Sequence, residues 1–128
     1  MAIQLRGLEQ LQPLTILAPA TVSTNNDTTA VDVRGVDGDL LLLLYAAAGG
    51  ADQTIAVKVQ SSSAASGAAW TDVPGGAFAV LTNTAGLQKL AIPRDEVGGF
   101  VRLSFTGKTS TYSATVSALA VGGARYAV

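Results

Sequence analysis

The chain of 128 residues contains no cysteine and no histidine. The first absence excludes disulfides, thiolate metal sites and a cysteine nucleophile; the second removes the commonest general base and the commonest transition-metal ligand. Enzymatic chemistry starts from a poor inventory, and neither an enzyme nor a cofactor is expected. Charge is scarce as well: 13% of residues are Asp, Glu, Lys or Arg, and the formal net charge is −1. Without a basic excess to meet phosphates, a direct nucleic-acid partner is not expected. Long apolar runs are missing too. The longest, Leu40 to Ala48, has nine residues, against about 20 for a membrane-spanning helix, so no membrane partner is expected. The first ten residues lack the basic-then-hydrophobic order of a secretion signal, and delivery through a secretion pathway is not indicated.

What is present is small and apolar. Apolar residues reach 48%, much of it alanine, while aromatics are only 5%. A surface poor in charge and rich in Ala, Ser, Thr and Gly suits either a bland soluble β domain or a protein that spends its life against other protein surfaces.

The pattern is that of strands. In Thr54 to Ser63, Ile55, Val57 and Val59 alternate with Ala56, Lys58 and Gln60, the period of two that places one face in a core. Ser61 to Gly67 reads as the loop of a β-hairpin whose second strand, Trp70 to Val73, stops at Pro74. Ile55, Val57, Val59 and Trp70 are taken as the centre of one core. Val31 to Arg34 is a short strand, followed by a turn over Gly35 to Gly38. Leu40 to Ala48 follows without polar alternation; its flanking turn signals favour a strand over a buried helix, and an all-apolar strand needs cover on both faces. Ala77 to Leu81 gives another short apolar piece, and Gly86 to Ile92, ending at Pro93, and Phe100 to Thr106 add further strands, the last with Val101, Leu103 and Phe105 inward. Tyr112 to Val121 is the longest alternating run, with Ser113, Thr115 and Ser117 wet, Ala114, Val116 and Ala118 dry, and a shift of phase near Leu119 that suggests a β-bulge or a doubly covered end.

About eight short strands predict an all-β fold, an antiparallel β-sandwich or jelly-roll-like barrel over residues 31–128. Residues 1–30 are read as an extended N-terminal arm. A short helix competes for its first part, because Leu5, Leu8 and Leu11 recur every three residues up to Pro13.

Chemistry-bearing groups are few. Asp32, Asp37 and Asp39 could offer oxygens to calcium, but their spacing is not that of an EF-hand and Asp-Gly-Asp is ordinary turn composition. Arg94, Asp95 and Glu96 form a charged loop tip, better suited to solvent or an intersubunit salt bridge than to acid–base work. Gly107-Lys-Thr-Ser110 lacks the upstream glycine and the following helix of a phosphate loop. A nucleophile among Ser61 to Ser63 would need Lys58 as its base, and Lys58 points out from a strand.

Taken together, Val31-Asp-Val-Arg-Gly35 with Asp37-Gly-Asp-Leu40, Val57-Lys-Val-Gln-Ser61, Trp70-Thr-Asp-Val-Pro74, Gly99-Phe-Val-Arg-Leu103 and Val121-Gly-Gly-Ala-Arg125 resemble a family of small structural proteins of tailed bacteriophages. The resemblance spans about residues 31 to 125. Members commonly carry Asp-Asp-Gly between the two central strands, where this chain has Ser-Ala-Ala-Ser-Gly67. The resemblance implies a capsid decoration (cement) protein that binds the outside of a phage head and strengthens it, often as a trimer, with the major capsid protein as partner, the virion exterior as location and assembly in the host cytoplasm. The expected interface comprises Leu5, Leu8, Leu11, Leu14, Ile16 and Leu17 of the arm and Arg94, Asp95 and Glu96 of the charged tip. Deleting Ala2 to Thr24 is then expected to leave a folded domain that no longer decorates shells. A receptor- or carbohydrate-binding β-sandwich of a tail or fibre is the competing reading, with Trp70, Tyr45, Tyr112 and Tyr126 as its only candidate platforms.

Overall fold

The computed structural model describes residues 11–50, 53–109 and 112–124. Among them are nine strands: β1 Leu11–Val22, β2 Asn26–Asp27, β3 Val31–Asp32, β4 Val36–Ala46, β5 Ala56–Ser62, β6 Thr71–Ala77, β7 Gly86–Ile92, β8 Phe100–Thr106 and β9 Ala114–Ala124, with one 3-10 turn at Arg94–Glu96. They form two antiparallel sheets. The first has the order β1-β9-β4-β7; the second has the order β2-β8-β5-β6, with β3 also on β8. This is the β-sandwich expected from the alternating runs.

The core lies between the sheets. Leu40, Leu42 and Leu44 of β4, Val116 and Ala120 of β9, Ile16 of β1 and Ile92 of β7 face Val57 and Val59 of β5 and Val101, Leu103 and Phe105 of β8, all at most 5% exposed. Each such side chain contributes roughly 1.5–3 kcal/mol by leaving water, enough to hold a leucine-rich segment extended although leucine favours helices.

The leucine run is a strand, as read, but its two faces are unlike. Leu40, Leu42 and Leu44 are buried, whereas Leu41 and Tyr45 on the opposite face are 37% and 46% exposed. Within one chain the run is covered on one side only. Gly38 does not end a turn before it: the turn is at Arg34 and Gly35, and Gly38 already lies in β4. Its φ of +78° accompanies the register break between Asp37 and Leu41 against β9, as glycine does in a bulge.

Three further expectations are corrected. Residues 11–22 are not an arm: Leu11 to Val22 pair with Gly123 to Ala114 in a ladder broken by two register shifts, and Ile16 and Val22 sit in the core. Their apolar pattern was masked because the bulges interrupt the alternation. A deletion running to Thr24 would therefore remove a strand of the fold rather than a tether. Leu5 and Leu8 lie outside the described residues. Second, β6 does not stop at Pro74 but continues to Ala77, with Gly75 at φ +72° and a register shift against β5. Pro74 is tolerated because β6 is an edge strand. Third, β9 has no change of phase near Leu119: Ala118 and Ala120 remain buried and Leu119 exposed. The apparent shift arises because the outward positions turn from Ser117 to Leu119 and Val121, apolar on the open face. The short apolar piece from Ala77 to Leu81 begins at the last residue of β6 and beyond it makes a single β-bridge, between Leu81 and Ile55.

Candidate functional site

The two outer faces of the sandwich are chemically opposite. On the second sheet, polar side chains from β2, β5, β6 and β8 form a connected network. Arg102 donates from Nε to Gln60 Oε1 at 3.0 Å and pairs with Asp27 at 3.3 Å. Asp72 accepts from Gln60 Nε2 at 3.0 Å and from Lys58 Nζ at 3.0 Å. These hydrogen bonds, Gln60 first and Lys58 next, hold the Asp72 carboxyl below the usual carboxylate range. Beside this network Arg34 grips Asp32 with two side-chain bonds of 3.0 and 2.8 Å and lies 5.0 Å from the Phe100 ring centre. The Arg34 side chain, helped by its backbone N–H, lowers the Asp32 pKa to about 2. Exposed pairs of this kind contribute little individually. What they do is satisfy one another and present a wettable surface.

Trp70 belongs to this face and not to the core. It precedes β6, is half-buried, and carries the Arg102 guanidinium 4.4 Å from its ring centre. Ile55, Val57 and Val59 are the core that the alternation indicated, at 0%, 2% and 1% exposure. The lone tryptophan was misplaced because a large apolar side chain satisfies burial partly by stacking on a cation.

The outer face of the first sheet is apolar. Strand register places Pro13, Val121, Leu41 and Ala91 in one row and Thr15, Leu119, Leu43 and Lys89 in the next. A third row holds Ser117, Tyr45 and Leu87, with Ala18 and Pro19 of the β1 irregularity beside Ser117. Leu87 is 67% exposed and Leu119 37%. Over Ser117 and Ala118 lies a groove of about 380 Å³, walled by Thr15, Leu17, Ala18 and Pro19 on one side and Leu43, Tyr45 and Leu87 on the other. Lys89 is the one charged side chain in these rows. The signal was available in the odd-numbered positions of the leucine run and in the alternation of Leu87 with Lys89, but an outward apolar residue reads in sequence like an inward one.

The expected interface residues that lie among the described ones are not brought together. Ile16 is core, Leu14 and Leu17 pack partly against it, and Leu11 is 45% exposed. Arg94 lies at the rim, its guanidinium donating to the carbonyls of Val97 and Gly98 at 3.1 Å each, and Asp95 and Glu96 are solvent-facing. Asp39 accepts from the Arg94 backbone at 3.2 Å and Asp32 is held by Arg34, while the Asp37 side chain lies outside those described. Among the described residues no three acidic side chains gather as a metal site. Ser61 is buried and its Oγ accepts from Gly98 N at 2.6 Å, a structural bond tying β5 to the segment before β8.

No known family and no curated protein matches the sequence. Solved structures share the fold. The VP2 subviral particle of infectious bursal disease virus matches with a TM-score of 0.53 at 12% identity over 91% of this chain and 33% of that one. The CBM36-1 domain of a multidomain xylanase from the hindgut metagenome of Trinervitermes trinervoides matches at 0.52 and 11% identity, over 89% of this chain and 98% of that one. The K3 adhesin domain of Lys-gingipain from Porphyromonas gingivalis matches at 0.52 and 10% identity, over 82% and 74%. The chain spans about a third of the viral proteins it resembles. At such identities the likeness defines a class, the antiparallel β-sandwich, and nothing narrower.

Proposed function

We propose that this protein is a non-enzymatic structural component of a virus particle, and specifically a decoration protein that binds the outer surface of a phage head and stabilises it. The observation that carries the reading is the contrast between the faces: a self-satisfied polar face suited to water, and an apolar face that has reason to persist only where protein covers it. The motif resemblance supplies the phage context, and sandwich domains in viral particles are compatible with it. The partner is then the major capsid protein, the location the virion exterior after assembly in the host cytoplasm, and the arrangement of copies that the resemblance favours is a trimer. Imaging of particles assembled with and without the protein tests this. Extra density over the head, with greater resistance of the shell to heating, is the expected result. Density on the tail alone, or none, overturns it.

The half-exposed Trp70, stacked on Arg102 at the end of the Gln60–Asp72 network, favours a second reading, a carbohydrate-binding face on a tail or fibre. Glycan-array binding that is lost in a folded Trp70→Ala variant would put this reading first.

A further inference from the structure

We propose that the apolar face of the first sheet binds a second copy of this chain, face to face about a two-fold axis that runs along the strands between β9 and β4. The reason is that the face carries its own complement. With neighbouring strands about 4.8 Å apart, such an axis exchanges β4 with β9 and β7 with β1. Tyr45 of one copy is then carried onto the groove floored by Ser117 and Ala118 of the other. Leu87, the most exposed large apolar side chain among the described residues, covers the partner's Ala18 and Pro19. Leu119 meets the partner's Leu43.

The lone charge fits the same operation. Lys89 lies in the row of Thr15, so the axis sets its ammonium group over a hydroxyl at the sheet edge, open to water, and never over a second lysine or a leucine. Aligned sheets cross at about 30°, which displaces contacts about 7 Å from the axis by about one residue. The groove wall from Thr15 to Pro19 spans that displacement. In such a pair the second copy covers the apolar face, and the outer face of the second sheet and the sheet rims are left to meet a shell.

The size of the face limits how much surface a pair can bury. Four strands and about seven residues of each give a projected area near 460 Å² per copy. Corrugation raises the buried surface above this, toward the lower end of what stable pairs bury, about 600 Å² per partner. A face of this size is expected to pair weakly, at about micromolar concentrations or above. The arrangement is isologous, so any substitution acts twice.

Light scattering after gel filtration and sedimentation velocity on the full chain, from about 1 to about 300 μM, test the proposal. The mass is expected to rise with concentration from 12.9 kDa to twice that value. Leu87→Lys should leave the circular dichroism spectrum unchanged, because the side chain is exposed in the single chain, and weaken association about a hundredfold or more. The chain has no cysteine, so cross-linking is clean: Ala18→Cys with Leu87→Cys should give a covalent dimer on oxidation. The two positions stand three strand spacings apart in one copy, about 14 Å, too far for a disulfide within it. Leu87→Cys alone should not cross-link. A constant monomer mass, a three-copy mass, a dimer indifferent to Leu87→Lys, or a dimer that the cysteine pair fails to trap would each overturn the proposal. Particle decoration is a separate readout: a dimer that adds no density to particles removes the shell reading and leaves this one, and a decorating monomer does the reverse.

Discussion

The five consecutive leucines of β4 allow a direct test of the fold, because chemically identical truncations should differ by which way each side chain points. Leu40, Leu42 and Leu44 are 1%, 1% and 0% exposed, while Leu41 is 37% exposed. Replacing a buried leucine by alanine loses its transfer free energy and leaves a cavity, about 2–5 kcal/mol in all. Leu44 sits in a central strand flanked by β7 and β9, where neighbours are held by ladders and can collapse little, so its truncation belongs at the upper part of that range. Leu41→Ala removes contacts on one side only and should cost about 1 kcal/mol or less. In urea, with a slope of about 2 kcal/mol per molar for a domain of this size, the midpoint should fall by about 1 M or more for Leu42→Ala and Leu44→Ala and by about 0.5 M or less for Leu41→Ala. The measurement belongs at submicromolar protein, so that association does not shield Leu41. Equal losses at positions 41 and 42 would mean that the strand is covered on both faces within one chain, and the two-faced sandwich would be wrong.

Other consequences can be checked singly. Tyr112 is 1% exposed and its hydroxyl has no hydrogen-bond partner among the described residues; Tyr112→Phe removes an unsatisfied polar atom and should be neutral or stabilising by up to about 1 kcal/mol in thermal or urea melts. Asp32, lowered from 3.8 to about 2 by Arg34, contributes stability that is fully present above the unfolded value and is lost as pH falls through the folded one, so its share disappears between about pH 4 and pH 2; a carboxyl resonance titrating near 4 would refute the pairing. A Cβ on Gly98 would lie 2.6 Å from the carbonyl oxygen of Ser62, backbone that cannot swing aside, so Gly98→Ala should destabilise by about 1–3 kcal/mol, and a melt unchanged from the parent would contradict that close approach.

The alternation of Val57 with Lys58 and Gln60, and of Leu103 with Arg102, made β5 and β8 legible because one face of each is truly polar. The first sheet was harder. Where both faces of β4 and β9 are apolar, period-two patterning vanishes, and the same leucines support a doubly buried strand or, as found, a buried face and an open one. β1 was lost for a related reason: its register breaks at Leu17 and again before Ala20, so residues on either side do not keep phase, and two prolines discourage a strand assignment from sequence. Trp70 and the charged residues around Arg102 come from four separate strands and the loop before β6, a juxtaposition set by pairing across the sheet that no local pattern encodes.

The prolines that hid β1 also decide how this molecule meets others. A sandwich with an open apolar face risks growing through its sheet edges, since unpaired strands recruit further strands without limit. Here β1 carries Pro13 and Pro19, and β6 carries Pro74 beside a glycine of positive φ. Next to β7, the Gln88 side chain accepts from Ala79 N at 2.9 Å and donates to Ala79 O at 3.2 Å, fixing the preceding segment to this strand. Edge pairing is thus discouraged at three strands, while the face between β1 and β7 is left apolar. In the proposed pair, association would run through a face, which closes when matched to a single partner surface, and not through edges, which propagate. Replacing Pro13 and Pro19 by threonine should accordingly convert a self-limited species into one that grows with concentration, read as a mass in light scattering that keeps rising beyond two copies; a variant that still stops at the parent's mass would show that the prolines are not what limits growth.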